Sequence, residues 1–263
     1  MEEETKVLNP LSYKPIGNLL KSLAIPAIIA NLVNALYNVV DQIFIGQGIG
    51  YLGNAATNIA FPITTMCLAI GLTLGIGGAS NFNLELGKGY PEKSKHTAGT
   101  AASTLIIIGI ILCITVRIFL EPLMIGFGAT DKILEYSIEY TGITSYGIPF
   151  LLFSIGVNPL VRADGNAKYS MIAIVTGAIL NTILDPLFMF VYNWGIAGAA
   201  WATVISQVIS ALLLLIYFPR FKSVKFSLND FIPQLHYLKR IVSLGFASFI
   251  YQFSNMIVLV TTN

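Results

Sequence analysis

Long apolar runs separated by short polar segments dominate the chain. A helix needs about 20 mostly apolar residues to cross a bilayer, and seven runs reach that length. They cover residues 16–46, 54–84, 98–120, 133–158, 168–192, 196–218 and 238–263. A membrane β-barrel would show alternating segments of about 10 residues, whereas residues 104–115 are almost continuously apolar. The pattern therefore predicts an all-α, polytopic membrane protein.

The composition excludes a water-soluble protein. Of the 263 residues, 55% are hydrophobic and only 11% are charged, whereas a soluble domain carries about 25% charged residues. The two cysteines, Cys67 and Cys113, fall inside apolar runs and are expected to be small buried hydrophobes. The first run follows three glutamates and is too long for the core of a cleaved signal peptide.

The basic residues predict the orientation, because lysine and arginine are retained on the cytoplasmic side. Alternate connections hold 13 of the 15 basic residues, while the opposite connections hold only Arg117 and Lys132. The 13 are Lys6, Lys14, Lys21, Lys88, Lys93, Lys95, Arg162, Lys168, Arg220, Lys222, Lys225, Lys239 and Arg240. We therefore expect a cytoplasmic N-terminus in the plasma membrane. Because the basic residues lie between apolar runs, they do not indicate a nucleic-acid partner.

A weak internal similarity suggests a repeat. Residues 23–28 align with residues 244–249, and transporters are often built from such repeats. The expected organisation is a cytoplasmic tail over 1–15, a six-helix lobe over 16–219, a cytoplasmic linker over 220–237, and helix 7 over 238–263. Helix 7 would begin a second lobe, and the chain is expected to be truncated within it.

Two acids lie deep within predicted spans, Asp41 in helix 1 and Asp185 in helix 5. An acid at the centre of a bilayer costs about 2.5–3.5 kcal/mol, so both are functional candidates. Helix 1 also places Asn31, Asn34, Tyr37 and Asn38 on one face with Asp41, all five within an arc of about 120°. Hydrogen bonds between helices would explain the asparagines but not the acid. Five further acids lie at span ends or in loops and are expected to be solvated: Glu85, Glu121, Asp131, Asp164 and Asp230.

Polar residues in helices 5 and 6 complete the candidate site. Asn181 lies one turn before Asp185, and Thr203 and Gln207 share a face of helix 6. Two carboxylates with neutral oxygen ligands suit H⁺ or a hard monovalent cation such as Na⁺. Polar packing between helices 5 and 6 is the alternative.

The remaining prolines, glycines and histidines of interest are expected to shape the helices and not to carry out chemistry. Pro26 removes a backbone donor before the polar stripe and is the preferred hinge. Gly71 and Gly75, one turn apart, predict a close helix contact. His96 and His236 are expected at the surface. The sequence contains neither a metal-binding Cys/His spacing nor a nucleotide-binding loop, so neither an enzyme nor a cofactor is expected.

Four segments resemble the multidrug and toxic compound extrusion (MATE) transporters. They are residues 35–46 (ALYNVVDQIFIG), 162–166 (RADGN), 181–186 (NTILDP) and 195–203 (GIAGAAWAT). The resemblance implies a twelve-helix exporter of two lobes with a central cavity and alternating access. It implies a cation site in the first lobe at Asp41, Asn181, Asp185 and Thr203, with the carbonyl of Ala199 as a further ligand.

The resemblance also implies that Tyr37 and Asn158 line the cavity, and we add Asn34, Asn38 and Gln207 to this substrate set. Another branch of the family carries an acid in helix 7, but residues 241–263 contain none. An N-lobe site is therefore expected.

The expected function is antiport of H⁺ or Na⁺ against cationic or amphipathic drugs. Asp41 and Asp185 would titrate as a coupled pair. The alternative is a lipid-linked oligosaccharide flippase, which would need cationic residues in its cavity, and the deep parts of the predicted spans contain no lysine or arginine. A second rival, a membrane scaffold or receptor, would tolerate loss of both acids. The expected partners are a small organic cation, the lipid bilayer and a second lobe of the same polypeptide.

Overall fold

The computed structural model describes the backbone of residues 15–262 and the side chains of residues 15–254. Most of the predicted cytoplasmic tail therefore lies outside the described residues, as do the side chains at the end of helix 7. Nine α-helices are found in the described part. They are α1 (Ile16–Gly48), α2 (Tyr51–Gly87), α3 (Pro91–Ile118), α4 (Leu120–Gly126), α5 (Asp131–Thr144), α6 (Ile148–Ala163), α7 (Ala167–Pro186), α8 (Gly195–Tyr217) and α9 (Leu235–Thr262).

Six helical segments are long and apolar enough to cross a membrane, and they confirm the first six predicted spans. The segments are Ile16–Gly48, Tyr51–Gly87, Pro91–Ile118, Asp131–Ala163, Ala167–Val191 and Gly195–Arg220. The fourth segment comprises α5 and α6, joined by a short 3₁₀ turn. The seventh run is helical as α9, and its passage across the membrane stays a prediction.

Helix α2 is the centre of the packing and lies against α3, α5, α6 and α9. Gly71 and Gly75 face α6, as the sequence predicts. A Cβ atom added at Gly75 would lie 2.5 Å from the carbonyl oxygen of Gly156. The two backbones can approach this closely because neither carries a side chain there. Around this contact, Leu105 and Leu152 are fully buried.

The connection between α8 and α9 is folded back onto the helices. The buried carboxylate of Asp164 accepts hydrogen bonds from the Tyr217 hydroxyl (2.8 Å) and from the backbone N–H groups of Lys222 and Ser223 (2.9 Å each). The expectation that Asp164 is solvated is therefore wrong. Three donors compensate for its loss of water, and they attach the connection to the end of α6.

Two more acids that the sequence placed in water are also buried. Glu85 is 4% exposed and lies 3.1 Å from Lys88. Asp230 is 3% exposed and accepts a 2.7 Å hydrogen bond from the backbone N–H of Ser227. His96 is half-buried near Asp230 rather than fully exposed. By contrast, Glu121 and Asp131 are exposed, as predicted.

The cysteines differ from one another. Cys67 is fully buried, as expected, whereas Cys113 is only partly buried on α3. Both are free thiols.

Candidate functional site

The two membrane acids meet between α1 and α7. Asp41 is 8% exposed and Asp185 is fully buried, and their carboxyl groups are near enough to interact electrostatically. Helix α1 packs mainly against α7, so Asp41 and Asp185 face each other across the principal contact of α1. The tertiary structure thus brings together the two acids that the sequence singled out.

Asn181 and Thr203 join this pair from α7 and α8. The side-chain amide of Asn181 donates to Asp185 Oδ1 (3.2 Å) and approaches Thr203 Oγ1 (3.4 Å). Ala199, one turn before Thr203, is fully buried in a small cluster with Ile45 of α1 and Met189. The cluster packs the start of α8 against α1 beside the acids.

Three further residues belong to the site, and the sequence reasoning missed them. Gln42 donates to Asp41 Oδ2 (3.1 Å) and accepts a hydrogen bond from Thr57 of α2 (3.0 Å). Tyr140, on α5, packs against the cluster of Ile45, Met189 and Ala199. Adjacent positions on a helix do not share a face, so Gln42 fell outside the polar stripe. Tyr140 reaches the site only because α5 packs beside it, which the sequence pattern does not indicate.

Unpaired oxygens define the chemistry of the site. Asp41 Oδ1, Asn181 Oδ1 and Asp185 Oδ2 are buried, and each has no hydrogen-bond partner among the described residues. Unsatisfied buried acceptors are costly, and a proton or a hard cation would satisfy them. Within residues 15–254, no group of three or more Asp, Glu, His or Cys side chains lies together. Two carboxylates with amide and hydroxyl oxygens therefore fit a monovalent ion better than a divalent metal.

A cavity of about 240 Å³ adjoins the acids. It is an open cavity between α1, α2, α6, α7 and α8, and the residues that line it include Asn31, Asn34, Tyr37, Asn158, Arg162, Asn181, Thr203, Ser206 and Gln207. Neither Asp41 nor Asp185 is in its lining. Asn181 and Thr203 line the cavity and also lie beside the carboxyl groups. They therefore form the boundary between the cavity and the two acids.

The predicted substrate residues divide into two groups. Asn34, Tyr37, Asn158 and Gln207 line the cavity. Asn38 does not line it, because its side chain is exposed and donates to the carbonyl oxygen of Asn34 (2.8 Å). Pro26 lies within α1, which continues as one helix on both sides of it.

The structure places one basic residue in the lining of this cavity, at the end of a span rather than deep within it. Arg162 lies in the last turn of α6, within the fourth membrane segment, and lines the cavity. The sequence reading ended this span at residue 158, but the helix continues to Ala163. The additional turn carries the guanidinium group into the cavity wall.

Comparisons with known proteins agree on one family. The sequence model of the MatE family matches residues 26–187. The multidrug export protein MepA of Staphylococcus haemolyticus is 26% identical over 232 residues, which are 86% of this chain and 50% of that protein. MepA of Staphylococcus aureus (strain NCTC 8325) is 26% identical over 238 residues, which are 90% and 52% of the two chains.

A solved structure shows the same fold. It is described as the outward-facing conformation of a multidrug resistance MATE family transporter of the MOP superfamily. It is 29% identical, has a TM-score of 0.83, and the match covers 97% of this chain and 56% of that one. The chain spans about half the length of the curated relatives it matches.

Proposed function

The chain belongs to the MatE family of membrane transporters, and from this membership we propose that the protein is a secondary active multidrug efflux transporter. It exchanges H⁺ or Na⁺ for cationic or amphipathic compounds by alternating access. The observation that carries the proposal is the buried Asp41–Asp185 pair, with its unsatisfied oxygens, beside a cavity of about 240 Å³. Relatives described as multidrug export proteins support the direction of transport.

Ion binding changes how α1 packs on α7. Two ionised carboxylates at close range repel each other, whereas a shared proton or a bound Na⁺ allows both to face the same pocket. The charge state of the pair therefore favours or opposes the contact between the two helices. Pro26 lacks the backbone donor of an interior helical residue, and we propose that α1 bends there when the contact changes.

Asn181 and Thr203 couple the ion to the substrate. Both line the cavity, and Asn181 is also hydrogen-bonded to Asp185. A bound cation competes with a cationic drug through electrostatic repulsion and through the orientation of this amide. An entering H⁺ or Na⁺ thus weakens drug binding and favours release outside. The flanking positions Asn34, Tyr37, Asn158 and Gln207 contact the drug.

The proposed organisation follows the family. Residues 16–219 form the six-helix N-lobe, residues 220–237 a cytoplasmic linker, and α9 begins the second lobe of a longer polypeptide. The protein lies in the plasma membrane with its N-terminus in the cytoplasm, as the distribution of 13 basic residues against 2 indicates.

The experiment is dye efflux from proteoliposomes that contain the full-length protein, with Na⁺ and pH gradients imposed separately. We expect one or both gradients to drive efflux, and the Asp41→Asn variant to abolish the dependence on the gradient. Equal efflux with and without a gradient would contradict the coupling. A flippase of lipid-linked oligosaccharides has weaker support, because a pyrophosphate group needs several cations and Arg162 is the one basic residue in the described cavity lining. Arg162→Gln should abolish a flippase but leave efflux of a cationic dye.

A further inference from the structure

A second cavity, of about 170 Å³, lies where α2 ends and where α3 and α9 begin. Three basic side chains line it: Lys88 after α2, Lys93 in α3 and Arg240 in α9. The cavity is remote in sequence from Asp41 and Asp185, and the proposed ion coupling does not use it. We call it the basic cavity.

The charges in the basic cavity do not balance. Its single acid, Glu85, is buried, and one of its carboxylate oxygens lies 3.1 Å from Lys88 Nζ and 3.4 Å from an Arg240 nitrogen. Lys93 Nζ lies 4.4 Å from the centre of the Tyr90 ring. Three cations thus surround one carboxylate. Lys88 and Arg240 remain nearly half exposed, so both have donors free for an anion that enters from the surface.

The inner wall of the basic cavity carries an unsatisfied acceptor. Asn81 lies one turn before Glu85 on the same face of α2 and is fully buried. Its amide nitrogen donates to Thr97 (2.8 Å), but its carbonyl oxygen has no hydrogen-bond partner among the described residues. Because a buried unpaired acceptor is costly, a ligand for this cavity should supply a hydroxyl donor as well as a negative charge.

The position of the basic cavity matches that of lipid headgroups. The membrane segments Tyr51–Gly87 and Pro91–Ile118 meet beside it, and basic pockets between spanning helices at this level bind anionic headgroups. Two exposed apolar side chains lie at helix ends near the cavity, Leu84 in the last turn of α2 and Leu235 at the start of α9. They offer a surface for acyl chains.

We propose that the basic cavity binds a phosphate ester that also carries hydroxyl groups, as in the glycerophosphate headgroup of an anionic phospholipid. The phosphate meets Lys88, Lys93 and Arg240, and a headgroup hydroxyl donates to Asn81 Oδ1. The site goes beyond the proposed transport function.

A phosphate ester bound in the basic cavity would stabilise the contact of α9 with α2. That contact is already close, because a Cβ at Gly77 would collide with the carbonyl of Ile241. A ligand that bridges residues of α2 and α9 holds the two helices together at their ends.

The test is the melting temperature of the purified full-length protein in detergent, at constant ionic strength. The probes are dioleoyl phosphatidylglycerol, dioleoyl phosphatidylcholine, glycerol phosphate and inorganic phosphate. We expect stabilisation by phosphatidylglycerol and none by phosphatidylcholine. If glycerol phosphate stabilises as well as the lipid, the ligand is a soluble phosphate ester. If only the lipid does, the ligand is a headgroup.

A matched pair of triple variants tests the site. K88Q/K93Q/R240Q should bind phosphatidylglycerol about tenfold or more weakly. R220Q/K222Q/K225Q removes the same charge from exposed positions outside the cavity and should bind it like the unmodified protein. Equal binding by the first variant, or an equal loss in the second, overturns the proposal.

Glu85→Gln provides a second test, in which the affinity for phosphatidylglycerol should rise and not fall. This test does not depend on the folding of the triple variant. It releases Lys88 and Arg240 from their internal partner, so binding of phosphatidylglycerol should become tighter. A purely structural ion pair predicts only a lower melting temperature with unchanged affinity. Weaker or unchanged binding by this variant would count against the site.

Discussion

The buried carboxyl groups of Asp41 and Asp185 interact electrostatically across the contact of α1 with α7, although one belongs to the first helix and the other to the seventh. No ion pair joins either acid to a basic residue in the part of the chain that the structure describes. Two buried acids without a cationic side chain need an exchangeable cation when both are ionised. This relationship is the basis of the proposed ion coupling.

Replacing either acid should abolish coupling. Asp41→Asn and Asp185→Asn keep the shape of the side chain but remove the charge that attracts the ion. We expect gradient-driven dye efflux to fall at least about tenfold, which corresponds to a loss of about 1.4 kcal/mol. Efflux in proteoliposomes measures this. Asp131→Asn, at an exposed position, is the matched control and should leave efflux unchanged. Wild-type efflux in both site variants would remove these acids from the mechanism.

The hydroxyl of Thr203 should contribute to ion affinity. Thr203→Val keeps the volume of the side chain but removes an oxygen that lies 3.4 Å from the Asn181 amide. A lost interaction of about 1 kcal/mol raises the ion concentration for half-maximal efflux about fivefold. Titration of efflux against Na⁺, and separately against pH, measures the change. Thr203→Ser retains the hydroxyl and should stay close to wild type. If Ser and Val variants behave alike, the hydroxyl is not an ion ligand.

The contact of α2 with α6 should not tolerate a methyl group. Gly75→Ala places a Cβ 2.5 Å from a backbone carbonyl oxygen, which cannot move without shifting α6. Overpacking of this kind costs about 1–3 kcal/mol, so the melting temperature should fall. Gly87→Ala is the control in the same helix, because no atom lies within 4 Å of the added Cβ. An unchanged melting temperature for Gly75→Ala would show that the helices are farther apart.

Asp230 should stabilise the connection before α9 across the neutral and mildly acidic range. Burial raises its pKa, but hydrogen bonds from Ser227 and the nearby Lys95 and His96 outweigh burial, so the pKa lies below the ordinary value of 3.8. A carboxyl with a lowered folded pKa stabilises the protein above its unfolded pKa, and this contribution is lost as the pH falls through the folded value.

Asp230→Asn should therefore lower the melting temperature by the same amount at about pH 7 and at about pH 5, and the difference should narrow only below about pH 4. Glu92→Gln is the control, because the Glu92 side chain is exposed, and an ion pair made by an exposed carboxylate is worth little. If the difference in melting temperature between Asp230→Asn and the unmodified protein disappears already between about pH 7 and pH 5, the pKa of Asp230 is not lowered.

The sequence predicted the local features of the molecule well. The first six runs became six membrane segments, and the glycine pair in α2 became a helix contact. The sequence-based prediction of burial was wrong where a side chain is buried by residues that are distant in the chain. Asp164 was expected in water because it follows the end of a span, but donors from residues 217, 222 and 223 surround it. Those donors are more than 50 positions away, and no local pattern indicates them.

The hydrophobic pattern by itself determined that the chain is helical and membrane-spanning, because each span must satisfy its own backbone hydrogen bonds in lipid. It also identified Asp41 and Asp185, because the cost of burying an acid is a property of the single residue. Only the tertiary structure decided that these acids face each other, that Gln42 and Tyr140 join them, and that Arg162 lines the cavity. Those relationships depend on how whole helices pack, and packing is set by side-chain shapes summed over long contacts rather than by the spacing of residues along the chain.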